Sequence, residues 1–456
     1  MAIDNILHLY KDVYYALPQS VKTFIGTVYG NIPLKYRFGK PYDTHFQIVN
    51  WYENASKQEQ LDFLFNKTYE TLTFAQKHIP FYQNTFNEYG VSVSDFKSLS
   101  DISKFPTLTK EDIKNNLNLL YSSVYEKPTP YYTGGSTSTP TKYYLPLFTS
   151  RGKEKAYNEY MFSKVGKTNR KKTLLLKGRE VAKPEKDIYW EYEPVDNYLV
   201  VSSNYLNSDK FDKIYNTIKD FSPEFVFGYP SAIIDFIKAS RKFNIENLPV
   251  KGVISASEMV YDEELNIIKE FFKGNIITHY GHTERAAIAY RYNYNHYRIL
   301  NSYGVVRESK GEIITTSFDN FVMPFINYET NDYFSGKIEK IPTTDIVTNV
   351  ENIEGRLQEY LVAKDGRLIS ICVMGAGHYS SLADVENIQY TQEKPGKANL
   401  LIQTKHSINT ENIKKELESF TKDAIEFNVQ KVDKIIKSSR GKRIMCKQKL
   451  DINQFR

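Results

Sequence analysis

The chain has 456 residues, enough for two or three domains, and its 41% apolar and 25% charged residues fall in the globular range. With 60 Lys and Arg against 54 Asp and Glu, the net charge of +6 admits anionic small molecules such as nucleotides but does not suggest a nucleic-acid binder. The two cysteines, Cys372 and Cys446, form neither a CxxC pair nor a Cys/His group of zinc spacing, and no run approaches the roughly 20 apolar residues that span a bilayer.

Two reduced thiols and no spanning segment lead us to expect a cytoplasmic protein. The first 19 residues lack the basic start and apolar core of a secretory signal. They do carry Ile3, Ile6, Leu7, Tyr10, Val13, Tyr14 and Leu17 at helical spacing. That stripe predicts a helix packed on its own domain, with a membrane-surface or partner contact as the alternative. Residues 1 to about 125 read as mostly helical. Asn54 to Ala75 places Leu61, Leu64, Phe65 and Leu72 on one side, Pro80 and Pro106 break the run, and Thr109 is placed to cap a helix.

From about 130 to 330 the pattern becomes α/β. Thr173–Leu176, Phe225–Phe227, Gly252–Ile254 and Ile276–Ile277 are short apolar runs expected to be buried strands. Helical stretches at Ser231–Ile237, opened by Pro230, and at Asp262–Phe272 separate them, which predicts helices on the faces of a sheet. Residues 286 to 330 look antiparallel, as in Gly311–Thr316. The last hundred residues form a unit of their own, with a strand at Glu359–Val362, a hairpin turn at Asp365-Gly366-Arg367 and an amphipathic helix over Thr410–Phe427. We place the domain boundary near Arg356 to Gln358.

Two loops carry candidate chemistry. The first is Thr133-Gly134-Gly135-Ser136-Thr137-Ser138-Thr139-Pro140, flanked by the strand-like Tyr131-Tyr132 and Tyr143-Tyr144-Leu145. Two glycines let backbone approach a ligand, and amides plus hydroxyls suit phosphate oxygens. It is not a Walker A loop, because GxxxxGK[ST] is absent. The second is Tyr280-Gly281-His282-Thr283-Glu284, which leaves the buried strand at Ile276–Ile277. Strand ends in open α/β sheets are where ligands bind. A tyrosine ring can stack on a base, Thr283 can donate to a phosphate, and the Glu284 carboxylate can hold Mg²⁺.

Together the two loops resemble the adenylate-forming superfamily of acyl-CoA synthetases and nonribosomal adenylation domains. The likeness is to the phenylacetate–CoA ligase-like branch, including the CapK-type proteins found with capsule genes. Motifs in the order of that branch run from about 130 to 445, and Leu17-Pro18 and Tyr36-Arg37-Phe38-Gly39 also fit the CapK type. The resemblance implies a role for each matching position. Thr133, Gly134, Gly135, Ser136, Thr137, Ser138 and Thr139 would meet the β and γ phosphates of ATP. Gly228-Tyr229-Pro230-Ser231 matches a turn of the branch at a helix start. Ala256, Ser257 and Glu258 would lie against adenine, on which Tyr280, followed by Gly281, would stack. Thr283 would touch the α-phosphate and Glu284 would hold Mg²⁺. Asp332, in Tyr328-Glu329-Thr330-Asn331-Asp332, would bind the ribose hydroxyls, with Arg356 near them. Gln358 falls at the hinge, and Lys442 would be the catalytic lysine that a mobile C-terminal domain brings to the reacting carboxylate. Joining two anions asks mainly for charge neutralisation and positioning, which a lysine and a magnesium ion supply. This chain departs from the branch at Ser138 and Asn331, where glycine is usual, and at Asn327, where arginine is usual.

The fold expected from the resemblance is a large α/β adenylation domain with an antiparallel subdomain and an N-terminal helical extension, residues 1–356. A small mobile α/β domain, residues 357–456, follows it. The activity implied is ATP-dependent, AMP-forming activation of a carboxylic acid, with pyrophosphate release and acyl transfer to coenzyme A. A sugar or cell-surface polysaccharide acceptor, and a nucleotide-binding pseudoenzyme of a polysaccharide system, are the alternatives. A cytoplasmic site, with contact to a membrane or to polysaccharide machinery left open, completes the expectation.

Overall fold

A computed structural model describes residues 4, 11–132, 141–177, 181–202, 205–206, 209–257, 260, 262–293, 295–354, 360–374, 382, 385, 387–435, 446–450 and 452–455. Its chain falls into two compact units, Met1–Tyr131 with Tyr143–Glu354, and Tyr132–Lys142 with Gly355–Arg456.

The first unit opens with helices α1 (Lys11–Ala16), α2 (Gln19–Asn31), α3 (Leu34–Arg37), α4 (Gly39–Tyr52), α5 (Lys57–His78), α6 (Pro80–Glu88) and α7 (Lys110–Asn116). Pro18 separates α1 from α2. Of the predicted N-terminal stripe, Val13 and Tyr14 fall on α1, while Ile3, Ile6, Leu7 and Tyr10 lie outside the described residues. α5 begins at Lys57, not Asn54. There Ser56 accepts from the Glu59 amide at 3.3 Å, and Glu59 accepts from the Ser56 amide at 2.8 Å. α7 starts on the predicted cap, with the Thr109 hydroxyl accepting from the Asp112 amide at 3.0 Å.

A two-stranded sheet, β1 (Pro128–Tyr132) and β2 (Lys142–Pro146), leads into α8 (Thr149–Ser163). Then come β3 (Thr173–Lys177), β4 (Trp190–Glu193), β5 (Tyr198–Ser202), α9 (Phe211–Phe221), β6 (Phe225–Gly228), α10 (Pro230–Lys242), β7 (Gly252–Ala256), α11 (Asp262–Phe272) and β8 (Asn275–Gly281). The apolar runs are thus the strands expected, and β7 is buried along its whole length. β5, β3, β6, β7 and β8 run parallel, which the intervening helices permit. Past β8 the sheet turns antiparallel through β9 (Ile288–Tyr292), β10 (Tyr297–Ile299), β11 (Gly304–Ser309), β12 (Glu312–Ser317), β13 (Tyr328–Lys340) and β14 (Val347–Glu354). The spatial order is β11-β12-β13-β14-β10-β9-β8-β7-β6-β3-β5-β4. One core, with Ile214, Phe236 and Phe272, lies under α9–α11; another, with Leu64, Tyr82 and Phe325, joins α5 and α6 to the end of the sheet.

The second unit has a hairpin, β15 (Tyr360–Val362) and β16 (Leu368–Ser370), closed by Gly366 at φ 82° as the Asp-Gly turn predicts. β17 (Asn387–Lys394), β18 (Lys397–Gln403), β19 (Glu426–Lys431) and β20 (Cys446–Gln448) form a sheet in the order β19-β18-β17-β20, with α12 (Thr410–Thr421) between β18 and β19 in the chain. The helix expected over Thr410–Phe427 therefore stops six residues early. Lys422 and Asp423 turn left-handed, and Phe427 pairs beside Ala398 as a strand residue in the core. Cys446, the first residue of β20, is buried.

Candidate active site

Register decides which strand ends meet. Gly228 on β6 stands beside Ser255 on β7, and Ala256 on β7 stands beside His279 on β8. The carboxyl ends of three neighbouring parallel strands therefore present Gly228-Tyr229, Ala256-Ser257 and Tyr280-Gly281 on one edge, the place where open α/β sheets bind ligands. Gly228 has no room for a side chain, since a Cβ would collide with the Leu176 carbonyl. Ser257 turns left-handed at φ 71° directly after β7. Tyr205 follows β5 and packs on Tyr189 with ring centroids 4.7 Å apart.

Between β8 and β9 the chain makes a tight turn. The Arg285 amide donates to the His282 carbonyl at 3.0 Å, and Arg285 takes φ 55°. The turn leaves Thr283 exposed and drives the neighbouring Glu284 inward, to 6% exposure. One Glu284 oxygen accepts from the Tyr328 hydroxyl at 2.8 Å; the other accepts from Thr283 at 3.1 Å and lies 3.5 Å from His282 Nδ1. Burial opposes ionisation of Glu284, but His282 and the Tyr328 hydroxyl outweigh it and hold the carboxyl below its usual range. Burial likewise works against the His282 cation, and Glu284 overcomes it, so the imidazole titrates above its ordinary value. Arg285 is turned the other way, bonding Ser150 Oγ, with its guanidinium 5.5 Å from the Tyr131 ring centre.

Asp332 reaches the same place through a bulge. Glu312 pairs with Tyr333 while Ile314 pairs with Glu329, so β13 carries two residues more than β12 across this step. Asn331 occupies the bulge at φ 63°, donating its amide to Glu312 at 2.9 Å. Asp332 is fixed by its own amide on Thr330 Oγ1 at 3.1 Å, and its Oδ2 accepts from the Tyr280 hydroxyl at 2.9 Å. Burial first, and then the Asp332 charge, push the Tyr280 phenol far above its ordinary value, so it stays a donor.

The structure therefore brings together Tyr280, Gly281, Thr283, Glu284 and Asp332, with Ala256 and Ser257 one strand away. Thr133, Gly134, Gly135, Ser136, Thr137, Ser138, Thr139, Glu258, Arg356, Gln358 and Lys442 lie outside the described residues. Sequence reasoning missed the part of Tyr328, whose hydroxyl holds Glu284, although it sits in the quoted Tyr328–Asp332 motif. It also passed over His282, inside the Tyr280–Glu284 motif. Among the described residues no three His, Cys, Asp or Glu side chains gather as a metal cage. A single ionised carboxylate fits the sparse oxygen set with which Mg²⁺ binds beside phosphates.

No family model matches the chain. Protein CapK of Staphylococcus aureus is 21% identical over 452 residues, covering 94% of this chain and 97% of that protein. Phenylacetate-coenzyme A ligase of Escherichia coli (strain K12) is 44% identical over 46 residues, 10% of each. Among solved structures, 2-hydroxyisobutyryl-CoA ligase in complex with 2-HIB-AMP and CoA superposes with a TM-score of 0.57 at 13% identity, covering 89% of this chain and 93% of that one. The same ligase with R3-HIB-AMP superposes with a TM-score of 0.53 at 12% identity, over the same shares of the two chains. The chain is thus similar to CapK along nearly its whole length and to phenylacetate-coenzyme A ligase over a short segment, and it shares the fold of 2-hydroxyisobutyryl-CoA ligase.

Proposed function

We propose that this protein activates a carboxylic acid with ATP, forming an acyl-adenylate and releasing pyrophosphate, and then passes the acyl group to coenzyme A. The observation that carries the reading is a pair of hydrogen bonds, Tyr280 to Asp332 at 2.9 Å and Tyr328 to Glu284 at 2.8 Å, which tie the two motif segments into one site. In this reading Tyr280 stacks on adenine, its ring orientation set by Asp332, and Asp332 accepts from the ribose hydroxyls with Arg356 beside it. Ala256, Ser257 and Glu258 line the base, and Thr133 to Thr139 cradle the departing pyrophosphate. Thr283 donates to the α-phosphate. Glu284 would hold Mg²⁺, which neutralises phosphate charge when bound. Lys442, on a C-terminal domain of residues 357–456, supplies the cation for the attacking carboxylate. The carboxylate oxygen bonds to the α-phosphorus as the bond to the bridging oxygen breaks, and the electron pair leaves with pyrophosphate.

The alternative acceptor, implied by the sequence resemblance to the CapK type, is a sugar hydroxyl of a cell-surface polysaccharide in place of the thiol. The pseudoenzyme alternative loses ground. Asn331 tolerates the left-handed bulge that glycine would otherwise take, and Asn327 is occupied in binding the Ile102 and Phe105 carbonyls and Arg307.

Carboxylate-dependent exchange of labelled pyrophosphate into ATP, across aryl, hydroxy and fatty acids, tests the reading. One class of acid should support exchange, and Asp332→Ala or Lys442→Ala should lower it by roughly 10²-fold or more. The absence of exchange with every acid, together with unchanged ATP binding in Lys442→Ala, would establish the pseudoenzyme instead. With exchange in hand, acyl transfer to coenzyme A or to a sugar separates the acceptors.

A further inference from the structure

Helix α2 is packed inside out. Its buried positions are Lys22, Gly26, Tyr29 and Gly30, while Val21, Phe24, Ile25 and Val28, at helical spacing of three and four, face solvent. Phe24 is 72% exposed and Val28 56%. Soluble helices do the opposite, so the outward stripe needs a reason.

The orientation is locked. A Cβ on Gly26 would collide with Pro194, and one on Gly30 with the Arg170 guanidinium and the Val195 carbonyl, so the helix lies against this turn of the domain through residues without side chains. Lys22 pairs with Glu191 at 3.3 Å, Gln19 donates to the Tyr192 carbonyl at 2.9 Å, and the Tyr29 hydroxyl donates to Asp4 at 2.9 Å. Rotating the apolar stripe inward would break all of these contacts.

The carboxylates that touch α2, Glu191 and Asp4, bond its buried residues Lys22 and Tyr29. From Val13 to Tyr42 there is no Asp or Glu, whereas Lys22, Lys35, Arg37 and Lys40 fall in the same stretch. Lys22 and Arg37 are buried; Lys35 and Lys40 are exposed, beside the exposed Tyr36. An exposed apolar ridge with an aromatic apex, followed in the chain by exposed lysines and in a stretch without Asp or Glu, is complementary to an anionic lipid surface. A second copy of the chain fits less well, because a two-fold contact through this face would set like charges against each other. No helix among the described residues is long and apolar enough to cross a membrane, so the contact is with one leaflet.

We propose that α2, with Lys35, Tyr36 and Lys40, is a membrane-docking face that inserts Phe24 and Val28 into the interfacial region of an anionic bilayer. The claim is independent of the adenylation reading. The test is co-sedimentation of the full chain with vesicles of phosphatidylglycerol and phosphatidylcholine, against phosphatidylcholine alone, at low and high salt. The wild type should bind the anionic vesicles in a salt-sensitive way. Phe24→Ser/Val28→Ser should bind at least roughly tenfold more weakly, and Lys35→Ser/Lys40→Ser roughly thirtyfold. All four positions are exposed, and unchanged thermal melts will show that the variants fold. Failure of the wild type to bind overturns the proposal, whether sedimentation velocity then shows a monomer or a dimer that Phe24→Ser dissociates. Binding that both double variants retain overturns it as well.

Discussion

Asn327 and Tyr328 stand side by side and do different work. Asn327 is 1% exposed and takes φ 46°, a conformation asparagine tolerates better than most residues. Its amide donates to the Ile102 and Phe105 carbonyls, both at 2.8 Å, and its oxygen accepts from Arg307 at 2.7 Å. The departure from the branch at Asn327 is thus a buried bracket, with a guanidinium drawn in from β11. Tyr328 is equally buried, but its hydroxyl serves Glu284. Tyr328→Phe removes that one donor and leaves the ring packed on Phe325, 5.0 Å away. If Glu284 holds Mg²⁺ as proposed, a group that orients it is commonly worth 10- to 100-fold, so pyrophosphate exchange should fall by about that factor with the melting temperature nearly unchanged. Equal loss of exchange and of thermal stability would make Tyr328 merely structural.

At the scale of elements, the bulge in β13 is what makes a sheet strand into part of a site. It lifts Asp332 out of the β12 register and onto Tyr280 at the end of β8. The position depends on Asn331 at φ 63°. Asn331→Gly should leave stability and exchange close to wild type. Asn331→Val, with a β-branched side chain in the left-handed region, should cost about 1–2 kcal/mol in denaturant unfolding and lower exchange as well. A Val variant as active and as stable as the Gly variant would show that the bulge relaxes freely. The parallel strands, α11 and the Asp-Gly hairpin were legible because each is a local pattern. The end of α12 was not, because Phe427 continues a helical spacing in sequence while its partner, Ala398, is remote in the chain.

Across the molecule, Asp319 knits the helical N-terminal part to the sheet. It follows β12 and accepts from Lys67 on α5 at 2.8 Å and from His45 on α4 at 3.2 Å, with Lys153 on α8 3.7 Å away. Lys153 also donates to the Tyr303 and Phe318 carbonyls, both at 2.7 Å, and burial pulls its amine down to about 8. Burial works against ionisation of Asp319 too, yet His45, Lys153 and Lys67 outweigh it and hold the carboxyl well below the carboxylate range. A depressed folded pKa adds stability that is present above the unfolded value, near 3.9, and is lost as pH falls below it. Asp319→Asn should therefore cost about 3–5 kcal/mol near neutrality, by breaking a buried ionic network. The gap from wild type should narrow as pH drops below about 4, read from urea midpoints. A gap that stays constant from pH 7 to 3 would rule the carboxylate charge out as its source.

What the sequence determined by itself was local. Apolar runs made strands, Thr109 made a helix start, and the order of short motifs pointed to a nucleotide at a strand end. These are written within a few residues, where propensity and hydrogen-bond geometry act directly. Only the tertiary structure joined Tyr280 to Asp332 and Tyr328 to Glu284, because those pairs lie 52 and 44 residues apart and meet through strand register and a bulge. Only it showed the apolar side of α2 turned outward, because which side faces the domain depends on how closely Gly26 and Gly30 let the backbone approach residues 170 and 194.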